Sequence, residues 1–144
     1  LSPSGTVRIL QSIAQQRVVA APEVAVEVSA RRVGDVAVLE VSGKVLGGPE
    51  SDVLRTELER VLAGGDRYLL VDLAGVPWMN SAGLGILLAA YARLRERGGI
   101  LRFSGVGERV RGILRTTKLL TVLDVVDDES TGIRSFAERP GGGG

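Results

Sequence analysis

Residues 68–104 read YLLVDLAGVPWMNSAGLGILLAAYARLRERGGILRFS, and the change of apolar period within them decides the fold. The opening run, Tyr68 to Leu73, is apolar apart from Asp72 and short enough for a strand buried on both faces, as a central parallel strand is. From Ser81 to Arg97 the residues Leu84, Leu87, Leu88, Tyr91 and Leu94 recur at i, i+3, i+4, i+7 and i+10, which predicts a helix. Gly98 and Gly99 end it, and Ile100 to Ser104 makes another strand. A helix between two strands of one sheet forms a right-handed crossover.

The same grammar extends outward. Upstream, Glu50 to Ala63 places Leu54, Leu58, Val61 and Leu62 on one helical stripe, with Asp52, Glu57 and Glu59 away from it and Gly64 and Gly65 as a stop. Before that helix a loop rich in glycine (Gly43, Gly47, Gly48) follows two β-rich runs, Val24 to Ala30 and Val36 to Val41. Gly34 and Asp35 between them suit the positive φ angles of a tight turn, so the two runs form an antiparallel hairpin. Downstream come a short helix, Glu108 to Arg115, a last strand, Leu119 to Val126, and a terminal helix from about Asp128 to Glu138 that docks Ile133 and Phe136. The result is an α/β fold of one domain, an N-terminal β-hairpin joined to a mostly parallel mixed sheet with crossover helices. The domain spans 24–138; residues 1–23 are a poorly ordered or extra N-terminal segment, and 139–144, ending in four glycines, are a flexible tail.

Composition removes whole classes of chemistry. With 44% apolar but only 3% aromatic residues, the core is built from Val, Leu, Ile and Ala. The absence of Cys and His excludes disulfides, thiol nucleophiles, imidazole bases and the zinc sites made from them. Carboxylate-only sites for Mg²⁺ remain open, but no dense acidic cluster outside Asp127, Asp128 and Glu129 suggests one. A net charge of +1 argues for neither nucleic acid nor membrane. Nor does any apolar run approach the roughly 18 residues of a membrane span. Arg8 and Arg17 without acids give the first 22 residues a faint likeness to a transit peptide, though a loosely ordered leader is the commoner explanation. Arg93, Arg95, Arg97, Arg102, Arg109, Arg111, Arg115 and Lys118 make a basic stretch. With Phe103 as the one aromatic candidate there, it reads as the solvated faces of two helices. Gly105, Gly107 and Gly112 fit neither GxGxxG nor a P-loop and mark a turn and helix entry.

Ser81, at the start of the long helix, is the residue with chemical promise. A serine there ordinarily caps the helix by accepting from a free amide of the first turn, worth about 1 kcal/mol. The same place also tolerates a phosphoryl group, because helix amides and dipole favour anions. Pro77, Trp78, Met79 and Leu84 then offer an apolar rim that a dianion would spoil, so modification would act on docking rather than on the fold. Catalysis by Ser81 is a poor alternative. A hydrolase elbow needs GxSxG where residue 79 is Met, there is no His, and the only lysines, Lys44 and Lys118, do not adjoin Ser81 in sequence.

The stretch VDLAGVPWMNSAGLGILLAAYARLRERGG (71–99), with GKVLGGPES (43–51) and TTKLLTVLDVVDDE (116–129), resembles the STAS domain. That fold is shared by bacterial anti-sigma-factor antagonists and the cytoplasmic tails of sulfate-transporter-type anion carriers. In the antagonists the motif commonly reads Asp-Ser-Ser/Thr-Gly-Leu-Gly, and the serine after the aspartate is phosphorylated. Ser81 takes that position, with Asn80 in place of the aspartate and Ala82 in place of the second hydroxyl residue. The resemblance implies a cytoplasmic, non-enzymatic switch, monomeric or homodimeric. Its unmodified form binds an anti-sigma factor with GHKL-type serine kinase activity and frees a sigma factor. Phosphorylation weakens that docking and a phosphatase restores it. ATP belongs to the kinase, and this chain needs no cofactor. The contact surface so implied comprises Gly47, Gly48, Trp78, Asn80, Ser81, Gly83 and Leu84. A STAS scaffold subunit of a stress-signalling complex and the STAS tail of an anion transporter are the alternatives.

Overall fold

The computed structural model describes residues 26–138. The expectations for residues 1–23, for Val24 and for the 139–144 tail lie outside them. Strands β1 (Glu27–Val33) and β2 (Val36–Ser42) pair antiparallel with Val33 opposite Val36. Gly34 turns the hairpin at φ +62°, as its lack of a side chain allows, whereas Asp35, expected to share that conformation, does not take a positive φ. Helix α1 (Asp52–Ala63) leads to β3 (Tyr68–Gly75), α2 (Ser81–Glu96) to β4 (Ile100–Ser104), and α3 (Glu108–Thr116) to β5 (Asp124–Val126); α4 (Glu129–Ser135) closes the order. The five strands lie in sequence order, and every pair after the hairpin is parallel.

This order puts β3 at the centre, which is why its apolar run is continuous: Leu69, Leu70 and Val71 are fully buried, pointing alternately to both faces. One face, with Leu39, Val41, Leu69, Val71, Leu73, Leu101 and Phe103, is covered by the apolar stripes of α1, α2 and α3. The opposite face carries a smaller cluster of Val36, Val38 and Leu70, closed by Phe136 with Ile133 beside it. Each such buried side chain contributes roughly 1.5–3 kcal/mol relative to exposure.

Three elements differ from expectation. The first strand does not stop at Ala30 but runs to Val33, because its pairing with β2 continues up to the turn at Gly34. The last strand is not Leu119 to Val126 but only Asp124–Val126, preceded by a 3-10 turn at Leu119–Thr121. Lys118 takes φ +64°, redirecting the chain, and Leu119, Leu120 and Leu123 then pack on the helix-covered core at a spacing that suits a turn better than a strand. The first helix begins two residues late, because Pro49–Ser51 form a 3-10 turn before Asp52.

Since β2, β3 and β4 run parallel, the loops after them gather at one edge of the sheet together with the starts of α1, α2 and α3. The sequence-derived site falls on this edge.

Candidate functional site

The loop after β2 is fastened to the loop after β3. Val45 and Met79 form an isolated parallel bridge; the Val45 amide donates to the Trp78 carbonyl at 3.1 Å and the Asn80 amide to the Val45 carbonyl at 3.3 Å. Helix α2 then presses on the same loop. A Cβ on Gly83 would run into the Val45 carbonyl oxygen, so only glycine allows this approach. Gly47, at φ +81°, lies against Ala82, and Arg55 of α1 ties down the loop by donating to the Gly47 carbonyl at 2.5 Å. The fully buried Ser51 hydroxyl accepts from the Gly47 amide at 3.2 Å.

The helix cap is Asn80, which corrects the assignment of that duty to Ser81. Asn80 sits in extended conformation and its side-chain oxygen accepts from the Gly83 amide at 2.8 Å. Ser81 is therefore the first helical residue, exposed, and its hydroxyl is engaged in no hydrogen bond with the described residues. Asn and Ser are nearly equal as caps, and helix register decided between these neighbours. The asparagine is not a neutral replacement for a missing charge: it supplies the bond that leaves the serine oxygen free.

The apolar rim is smaller than the sequence suggests. Met79 is 0% exposed and Leu84 5%, both being drawn into the helix-covered core, and Gly83 is buried against Val45. Leu84 and Gly83 thus shape the site from beneath and offer a partner no surface. What remains outside is Pro77, exposed, with Trp78, Asn80, Gly47 and Gly48, all half-buried. Beyond Ser81 a groove of about 340 Å³ runs between α1 and α2, floored by Leu58, Leu62 and Ile86 and kept open by Ala82, Gly85 and Ala89. Sequence reasoning missed one neighbour: Arg109 of α3 lays its guanidinium over the Trp78 ring, 4.8 Å from the centroid.

The other face of the sheet holds the one strongly perturbed acid among the described residues. Glu129, at the start of α4, is pushed up to about 7 by a hydrogen bond with Glu40, by burial and by the Glu40 charge, while Arg31, ion-paired to both carboxylates, opposes the shift. Asp128 next to it is held below the usual carboxylate range by accepting from the Thr131 amide as the cap of α4. Among the described residues no group of three or more potential ligands is placed to hold a metal ion. Nor is any helix among them long and apolar enough to cross a membrane. The edge around Ser81 presents a mostly neutral surface with an exposed, unengaged hydroxyl in it.

Comparison with known proteins agrees with this geometry. An anti-sigma F factor antagonist of Paenibacillus polymyxa is 24% identical over 95 residues, 65% of this chain and 80% of that protein. The crystal structure of an anti-sigma factor antagonist from Mycobacterium paratuberculosis superposes with a TM-score of 0.70 at 23% identity, covering 81% of this chain and 97% of that one. The phosphorylated form of the Bacillus cell fate determinant SpoIIAA gives a TM-score of 0.60 at 14% identity, covering 76% and 99%. The STAS domain family model matches residues 27–132, from the first residue of β1 into α4, and with the hairpin, the parallel sheet and the capped α2 all in place the chain belongs to the STAS domain family.

Proposed function

We propose that this chain is an anti-sigma-factor antagonist, a cytoplasmic and non-enzymatic protein-interaction switch. It binds an anti-sigma factor with GHKL-type serine kinase activity, frees a sigma factor, and acts as a monomer or homodimer. Phosphorylation of Ser81 turns it off and a phosphatase turns it on. The observation that carries this reading is the exposed Ser81 hydroxyl at the first position of α2, with the capping bond held by Asn80 instead. Phosphate can be added there without removing any bond that holds the fold. It brings about −1.5 to −2 charges to a helix start that favours them. The same charge opposes docking, because closing a partner over Pro77 and Trp78 would strip water from a dianion. A named antagonist as relative and a structural neighbour with a phosphorylated form support the same reading.

The test is binding to a purified GHKL-type anti-sigma factor from the same genome, with wild type, Ser81→Ala and Ser81→Asp. Wild type and Ser81→Ala bind alike, and Ser81→Asp binds at least about tenfold more weakly, equivalent to about 1.4 kcal/mol. Incubation with the kinase and ATP adds one phosphate to wild type and none to Ser81→Ala. Equal affinity of all three forms would refute the switch.

A further inference from the structure

Arg109 occupies a position that helix stability does not explain. It is in the first turn of α3, where the helix dipole disfavours a cation, and it is exposed. Arg31, Arg32, Arg55, Arg60, Arg93 and Arg102 each face a carboxylate within ion-pair distance. Arg109, like Arg97, Arg111 and Arg115, has no ion pair and no side-chain hydrogen bond among the described residues, but it alone of these four lies over an aromatic ring, that of Trp78. The adjacent Glu108 does not answer it, since neighbours in a helix point in different directions. The stack orders a planar guanidinium on one face and leaves its donor edges open. Trp78 in turn is fixed by its carbonyl bond to Val45, in the loop that leads to Ser81. An ordered, unengaged guanidinium is a fork for a carboxylate, able to bind it through two parallel hydrogen bonds at little entropic cost.

We infer that the Trp78–Arg109 stack is a second contact point on the Ser81 surface and receives a carboxylate from an acidic segment of the bound protein. The inference rests on the antagonist reading for the identity of that protein. It extends the docking surface from α2 across to the start of α3 and gives the encounter an electrostatic component that the rest of the rim lacks. Lysine cannot replace the arginine fully, because an ammonium neither stacks flat nor presents a fork.

The experiment measures Kd for the same purified anti-sigma factor at about 50 and 300 mM salt, using wild type, Arg109→Gln, Arg109→Lys and, as a charge-matched control further along α3, Arg115→Gln. The emission of Trp78, the only tryptophan, is recorded for each. Arg109→Gln weakens binding about five- to tenfold at low salt and flattens the salt dependence. Arg109→Lys recovers part of the loss, and Arg115→Gln changes neither. Trp78 emission shifts in free Arg109→Gln, and complex formation shifts it in wild type. If Arg109→Gln binds like wild type while Ser81→Asp is weakened, the antagonist reading stands and this inference falls. Equal weakening by Arg109→Gln and Arg115→Gln also overturns it, since the effect is then general charge. So does an Arg109-dependent shift of a DNA duplex, which would give the fork to phosphates. Failure of wild type to bind any such anti-sigma factor overturns both readings.

Discussion

Replacing Asn80 and Ser81 one at a time by alanine separates the two neighbours. Asn80→Ala removes the bond to the Gly83 amide and leaves that donor unanswered at a helix start packed against Val45. Loss of an N-cap costs about 1 kcal/mol, with a range of about 0.5–2, and the crowded position of Gly83, where water has poor access, favours the upper half. Ser81→Ala removes an exposed oxygen with no partner among the described residues and changes stability by less than about 0.5 kcal/mol. Asn80→Asp keeps the acceptor and gains roughly 0.3–1 kcal/mol from the helix dipole. Urea unfolding followed by far-UV circular dichroism resolves these differences: for a slope of about 1–2 kcal/mol per molar, the Asn80→Ala midpoint falls by roughly 0.6–2 M while that of Ser81→Ala stays in place. If Ser81→Ala lost as much as Asn80→Ala, the serine hydroxyl would be a structural acceptor, and phosphorylating it would break the helix start. A switch that spares the fold would then be excluded.

Two further outcomes follow from the geometry. Gly83→Ala forces the first turn of α2 away from the Val45 carbonyl, and overpacking of this kind costs about 1–3 kcal/mol, to be read as a lowered thermal midpoint. Glu129, raised to about 7 in the fold by its hydrogen bond with Glu40, holds a proton that the unfolded chain releases near 4.5, so its stabilising contribution is complete below about pH 4.5 and disappears as pH rises through about 7. Hydrogen exchange of the α4 amides, corrected for intrinsic rates, becomes faster between about pH 5 and 8, and Glu129→Gln removes that dependence.

The fold was legible because its elements announce themselves by period. The buried run at Tyr68 marked the central strand, the leucine stripe marked α2, and β4 occupies the residues read for it, Ile100–Ser104. The sequence was less informative where two residues share one aptitude or where apolar spacing is ambiguous. Asn80 and Ser81 both cap helices well, and only the start of α2 assigns the duty. Leu119, Leu120 and Leu123 are as compatible with a turn on the core as with a strand. At the site, Met79 and Leu84 looked like surface because they flank a polar loop, yet the bridge to Val45 turns one inward and helix phase the other. The Trp78–Arg109 stack joins residues on different elements, and no local pattern encodes such a pairing.

The close seating of Gly83 on the Val45 carbonyl, together with the bridge beneath it, makes two stretches of chain that are far apart in sequence behave as one solid block. A visiting molecule finds no finger there that can bend to meet it. Little freedom is surrendered on this side of the encounter, and whatever adjustment the match demands must come from the visitor.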